Sequence, residues 1–146
     1  MFYPAKAEVN EIVPNLYLSS YGGAVNIDHL KEIGITDIIN LSDKDNVAPD
    51  EFNYYQISAV DDPSEDIKQY FASTNRFIEN VLARHGKVLV HCTAGVSRSP
   101  TIILAYLIYK HGYSLDEALL FVYNKRKWIR PNEGFLLQLE QYANET

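Results

Sequence analysis

The chain has 146 residues, enough for one domain with a sizeable buried core, and its 47% hydrophobic and 22% charged residues are ordinary for a soluble globular protein. A formal net charge of −6 argues against general nucleic-acid binding, and no run of 18 apolar residues offers a membrane span. The single cysteine excludes an internal disulfide. Met1-Phe2-Tyr3-Pro4-Ala5-Lys6 lacks the basic-then-apolar pattern of a signal peptide, and Phe2 stands where myristoylation requires glycine. Asn144-Glu145-Thr146 is no prenylation box, so a cytoplasmic location is expected, with the nucleus as the alternative.

Residues 1–10 read as an N-terminal arm and residues 11–146 as a single domain without repeat, low-complexity tract or linker. Ile12-Val13-Pro14-Asn15-Leu16-Tyr17-Leu18 predicts one or two short strands broken at Pro14-Asn15. Asn26 can cap a short helix through Ile33, with Gly34 as its stop. Residues 36–41 have the character of a buried strand, residues 42–50 of a polar loop, and residues 53–60 alternate weakly as another strand. Asp61-Asp62-Pro63-Ser64-Glu65-Asp66 is a loop by composition. Ile67, Tyr70, Phe71, Thr74, Phe77, Ile78, Val81 and Leu82 then recur at helical spacing, and His85-Gly86 ends that helix. Residues 88–90 form a short apolar strand. A helix over residues 100–110 is apolar almost all round, as a buried central helix must be. Ser114-Leu115-Asp116-Glu117 is a capping box for a helix to about Lys127, and Arg130-Pro131-Asn132 breaks the chain. Phe135, Leu136, Leu139 and Tyr142 mark a last amphipathic helix. The fold class expected is α/β: a small, mostly parallel central sheet of about five strands flanked by helices.

Chemistry concentrates between Lys87 and Leu104. A strand, a loop of small residues and a helix opening near Arg98 make an anion site from unpaired amides and the positive end of the helix dipole. Cys92 lies where that strand ends, and a thiol in such a field loses its proton easily. Cleavage of a phosphate monoester would use these parts directly. Arg98 and the amides of Thr93, Ala94, Gly95, Val96 and Ser97 would hold the phosphoryl group, with Cys92 as the in-line nucleophile. Ser99 can ease departure of the thiolate. A general acid must come from elsewhere, and the loops at the carboxyl ends of the strands offer Asp61, Asp62 and Asp43.

His91-Cys92-Thr93-Ala94-Gly95-Val96-Ser97-Arg98-Ser99-Pro100-Thr101 resembles the signature of the cysteine-dependent phosphatases, and in detail their dual-specificity subclass, His-Cys-x-x-Gly-x-x-Arg-Ser. Ala105-Tyr106-Leu107, the run from Arg130 to Leu139, the run from Ile12 to Ser19 and the run from Gly34 to Leu41 are similar to segments of the same subclass. The resemblance covers nearly the whole chain, as a catalytic domain of the small atypical type. It implies a protein tyrosine phosphatase-like fold, no metal or cofactor, phosphorylated protein substrates and a monomer. It implies that the acid is an aspartate ten residues before the second aromatic of the next helix start, which counting back from Phe71 makes Asp61, with Asp62 as the near alternative. It gives His91 a structural hydrogen-bonding role, Ser99 the role of helping the thiolate leave and Asn132 the bracing of the loop. Lys127 stands where relatives often place an arginine near the pocket rim.

The activity this implies is hydrolysis of phosphotyrosine and of phosphoserine or phosphothreonine through a phosphocysteine. The same chemistry on a phosphoinositide, an RNA 5′-phosphate or a phosphoglucan is the alternative. The absence of lysine inside the loop and of a carbohydrate module weighs against it. A phospho-binding pseudophosphatase is a third reading, disfavoured because Cys92, Arg98 and an acid are all present. His29, His85 and His111 show no metal spacing. Lys125-Arg126-Lys127 reads as a solvated helix end.

Overall fold

The structure is a computed structural model that describes residues 8–146. Five strands, β1 (Asn10–Val13), β2 (Leu16–Ser19), β3 (Asp37–Asn40), β4 (Asn53–Gln56) and β5 (Val88–His91), form one sheet in the order β1-β2-β5-β3-β4. Only β1 runs antiparallel to its neighbour; β2, β5, β3 and β4 are parallel, so the expected mostly parallel sheet is present. The turn between β1 and β2 falls at Pro14-Asn15, where Asn15 takes φ 73°. Asparagine tolerates that left-handed conformation better than most side chains do. The N-terminal arm expected over residues 1–10 lies mostly outside the described residues, and its last residue, Asn10, already opens β1.

Among the described residues six α-helices are interleaved with or follow these strands: α1 (Tyr21–Ala24), α2 (Ile27–Ile33), α3 (Phe71–Ala83), α4 (Arg98–His111), α5 (Leu115–Lys125) and α6 (Glu133–Glu145). Asn26 Oδ1 caps α2, and Gly34 ends it at φ 98°. Ser114 and Glu117 form the expected capping box of α5. Three details depart from expectation. The four-residue α1 contains two glycines and carries no sequence signal. A 3₁₀ turn, Ile67–Tyr70, precedes α3 and takes up its first expected turn. β4 stops at Gln56 instead of running to residue 60, because Ala59 turns back on Ile57 and gives its carbonyl to Arg98.

Alternate strand residues face opposite sides of the sheet. Leu16, Leu18, Ile39, Leu41, Val88 and Val90 face the larger core beneath α3, α4, α5 and α6. Tyr17, Ile38 and Leu89 face the smaller one, with Leu30 of α2. Every residue of α4 from Ser99 to Ile108 is buried, which explains why it is apolar all round. The parallel register brings Ser19, His91, Asn40 and Gln56 to one edge, so the carboxyl ends of four strands open on the same side. Among the described residues no helix is long and apolar enough to cross a membrane.

Candidate active site

β5 ends at His91, and Cys92 follows it into the loop that leads to α4. Cys92 is buried, at 2% exposure. Its Sγ lies 3.1 Å from Ser99 Oγ and accepts the Gly95 N–H at 3.3 Å. Ser99 is on the first turn of α4, fully buried, so one side chain of the helix and one amide of the loop meet at the sulfur. Arg98, the first residue of α4, folds back across the loop. Its Nη1 donates to the Leu41 and Ala59 carbonyls, each at 3.0 Å, and its Nη2 to Thr93 Oγ1 at 3.1 Å. Arg98 Nε is buried with no acceptor among the described residues. A buried donor without a partner is costly, and an oxyanion is the kind of acceptor that would satisfy it.

The loop carbonyls are held from outside. Thr93 O accepts the Tyr21 N–H at 2.9 Å, Gly95 O accepts Arg126 Nε at 3.1 Å, Val96 O accepts the Arg130 N–H at 2.6 Å and Ser97 O accepts the Thr101 N–H at 3.1 Å. A trans peptide sets each following N–H opposite its carbonyl. Turning these oxygens outward therefore turns the amides of Ala94, Val96, Ser97 and Arg98 inward. Ser97 does not cap α4; its Oγ instead accepts the Asn132 N–H at 3.0 Å, which leaves the positive end of the helix open to the loop. Gly95 makes the turn at φ 69°, and a Cβ there would lie 2.6 Å from Arg126 Nη2 and 2.8 Å from the Ser20 nitrogen. Both the backbone angle and the space require glycine.

Asp61 is exposed in the loop after β4, and its Oδ1 accepts Asn132 Nδ2 at 2.9 Å. Asn132 in turn caps α6, its Oδ1 accepting the Phe135 N–H at 2.9 Å. Asp62, the near alternative, is turned to Ser64, whose N–H and hydroxyl both donate to its Oδ2; these bonds hold its carboxyl below the usual carboxylate range. Asp43 is exposed in the loop after β3, and among the described residues no hydrogen bond joins it to the cradle. His91 is 3% exposed, with Nδ1 3.2 Å from the Cys92 carbonyl. Burial is the main cause of its pKa falling to about 4, with Arg98 adding to the fall and the bond to Cys92 opposing it. His91 is therefore neutral at pH 7, and Nδ1 donates.

One side chain that sequence reasoning placed in solvent belongs to the site's foundation. Arg126 is 1% exposed, not solvated. Besides the bond to Gly95 O, its Nη1 donates to Asn10 Oδ1 at 2.8 Å and to the Glu8 carbonyl at 3.1 Å. Burial pushes its pKa down, and the neighbouring Cys92 and Glu8 side chains oppose that fall. α5 ends at Lys125, so Arg126 leaves the helix inward while Lys125 and Lys127 stay exposed. The signal was there: Ala118, Val122 and Arg126 share the spacing of four that marks the buried stripe. Lys127 Nζ lies over the Tyr123 ring, 5.0 Å from its centroid. Among the described residues no three His, Cys, Asp or Glu side chains cluster as a metal site requires.

Residues 16–145 match the family described as dual specificity phosphatase, catalytic domain. The chain is 40% identical over 134 residues to mouse protein phosphatase Slingshot homolog 3, covering 91% of this chain and 21% of that protein. It is 38% identical over 140 residues to dual specificity protein phosphatase 1B of Arabidopsis thaliana, covering 92% of this chain and 81% of that protein. The crystal structure of the human tyrosine phosphatase-like serine/threonine/tyrosine-interacting protein superposes with a TM-score of 0.87 at 34% identity, over 95% of this chain and 97% of the other. The chain thus spans about a fifth of the Slingshot relative and most of the other two.

Proposed function

The chain belongs to the dual specificity phosphatase catalytic-domain family, and from that premise we propose that it hydrolyses phosphotyrosine and phosphoserine or phosphothreonine in proteins through a phosphocysteine intermediate. The observation that carries the reading is the meeting of Ser99 Oγ and the Gly95 N–H at Cys92 Sγ, beside an arginine whose Nε has no acceptor among the described residues. In the first step Cys92, as the thiolate, attacks phosphorus, the bond from phosphorus to the ester oxygen breaks, and Asp61 gives that oxygen its proton. Arg98 and the inward loop amides offset charge on the three equatorial oxygens, where it spreads in the transition state. In the second step water attacks phosphorus, Asp61 takes its proton, and the sulfur–phosphorus bond breaks. The departing thiolate is received by the Ser99 hydroxyl and the Gly95 amide. Asn132 orients Asp61, and neutral His91 holds the Cys92 carbonyl. No residue of the loop from Thr93 to Ser97 is basic, which suits a protein phosphomonoester better than a polyanionic lipid or RNA end.

The test is turnover of an aryl phosphate and of phosphotyrosyl and phosphoseryl peptides. Cys92→Ser is expected to lose turnover on all three while keeping its affinity for tungstate. Turnover retained in that variant refutes the covalent route. Asp61→Ala is expected to slow esters with poor leaving groups far more than activated ones.

A further inference from the structure

We propose that one edge of α6, Gly134 with Gln138 a turn later, is the platform that positions the general acid. The inference rests on the reading of Asp61 as that acid. A Cβ built on Gly134 would lie 1.9 Å from the Pro63 carbonyl oxygen and 2.6 Å from Pro63 C and Cα. The backbone two residues after Asp61 therefore lies directly on the first turn of α6, in space that any side chain would occupy. Gly134 does not have positive φ; among the described glycines only Gly34, Gly95 and Gly112 do. Glycine serves this position by close approach alone.

The same edge continues along the helix. Gln138 Nε2 donates to the Glu65 carbonyl at 2.9 Å, and its Oε1 accepts the Lys68 N–H at 2.9 Å. Glu65 closes the loop on itself, its Oε1 accepting the Val60 N–H at 2.8 Å. Asn132, Gly134 and Gln138 thus meet Asp61, Pro63 and Glu65 in order, so residues 60–65 are seated as one piece against α6. The Asp61 carboxylate is itself exposed, with Asn132 as its one side-chain partner among the described residues, and its aim depends on where that piece sits. Restoring ordinary contact of 3.4 Å from 1.9 Å would shift the loop or the helix by about 1.5 Å. Displacements near 1 Å can cost about a hundredfold in a positioned catalytic step.

The experiment compares Gly134→Ala, Gln138→Leu and Asp61→Ala on phenyl phosphate and on an activated aryl phosphate whose leaving group needs no proton. Gly134→Ala should lower kcat/KM for phenyl phosphate ten- to a hundredfold, change the activated ester less than threefold and leave tungstate affinity unchanged. Placed in the Asp61→Ala background, it should add nothing on phenyl phosphate. Gln138→Leu, which loosens the seat without inserting a side chain, should give the same pattern in smaller measure, and it serves where Gly134→Ala does not fold. Equal losses on both esters, or additive losses in the Asp61→Ala background, overturn the proposal. If Asp61→Ala itself slows both esters equally, the underlying assignment of the acid fails. If Asp61→Ala discriminates and the two α6 variants do not, only the platform fails.

Discussion

His91 makes native stability depend on pH in a window that can be calculated. It is buried at the end of β5 with a pKa near 4, against 6.5 for the free side chain, chiefly because burial penalises its charged form. The native state keeps it neutral down to about pH 4, while the unfolded chain takes up a proton as pH falls through 6.5. Stability is therefore full above pH 6.5 and is lost as pH falls towards 4. Each tenfold change in proton affinity is worth about 1.4 kcal/mol, so the full effect is roughly 3 kcal/mol, of which about 2 kcal/mol is lost between pH 7.5 and pH 5. His91→Asn removes the titration and keeps a nitrogen donor for the Cys92 carbonyl. Urea denaturation of both proteins at pH 7.5 and pH 5 should show the parent losing about 2 kcal/mol more than the variant across that interval. Parallel losses, within about 0.5 kcal/mol, would mean that His91 is solvated or charged in the native state, and the reasoning would fail.

Gly95→Ala and Ser99→Ala probe the loop around Cys92, with Gly112→Ala as the control. Gly95→Ala should cost about 2–4 kcal/mol in denaturation and weaken tungstate binding, because it adds a clash to a left-handed φ. Gly112→Ala, at φ 67° with nothing within 4 Å of the added carbon, should cost only about 1 kcal/mol, and equal costs at the two positions would deny the close packing around Gly95. Ser99→Ala should leave the first chemical step nearly intact and slow release of the phosphocysteine, so rapid-mixing assays of an aryl phosphate should show a burst of product followed by a slow steady state. Loss of the burst would place Ser99 in the first step.

What the sequence made legible was local. The strand, loop and helix around Cys92, the Asn26 cap, the Ser114 box and the all-apolar α4 each carry their own signal within a few residues. The Asp61 loop was recognisable as a loop, but its seat on α6 joins residues about seventy positions apart, and nothing near Asp61 announces Asn132 as its partner. Arg126 carries a periodic signal in its spacing from Ala118 and Val122, but its partners do not. Flanked by two lysines it looks like surface, and the acceptors that meet its guanidinium, among them Gly95, Asn10 and Glu8, lie in remote segments. The end of β4 depends likewise on a distant residue, since the Ala59 carbonyl is drawn away by Arg98. Short-range patterns report propensity and patterning, whereas a hydrogen bond between remote segments leaves no periodic trace.

The segment from Arg126 to Asn132 shows how a break in the chain can be the part that shapes the site. Arg126 holds Gly95 O, Arg130 holds Val96 O and Asn132 holds Ser97 Oγ, so three successive loop residues are tied to one short stretch. Arg130 and Asn132 are two apart, and extended backbone presents their N–H groups on the same side. Pro131, buried between them, has no N–H to give and needs none, because a donor there would face away from the loop. The ring also disfavours helical geometry for Arg130, which keeps its N–H directed at Val96 O instead of into a turn. The inward set of two of the loop amides, those of Val96 and Ser97, thus follows from donors supplied by a segment outside the signature. Asn132, the last of these residues, also holds Asp61, so the loop around Cys92 and the proposed acid are fixed from the same residue.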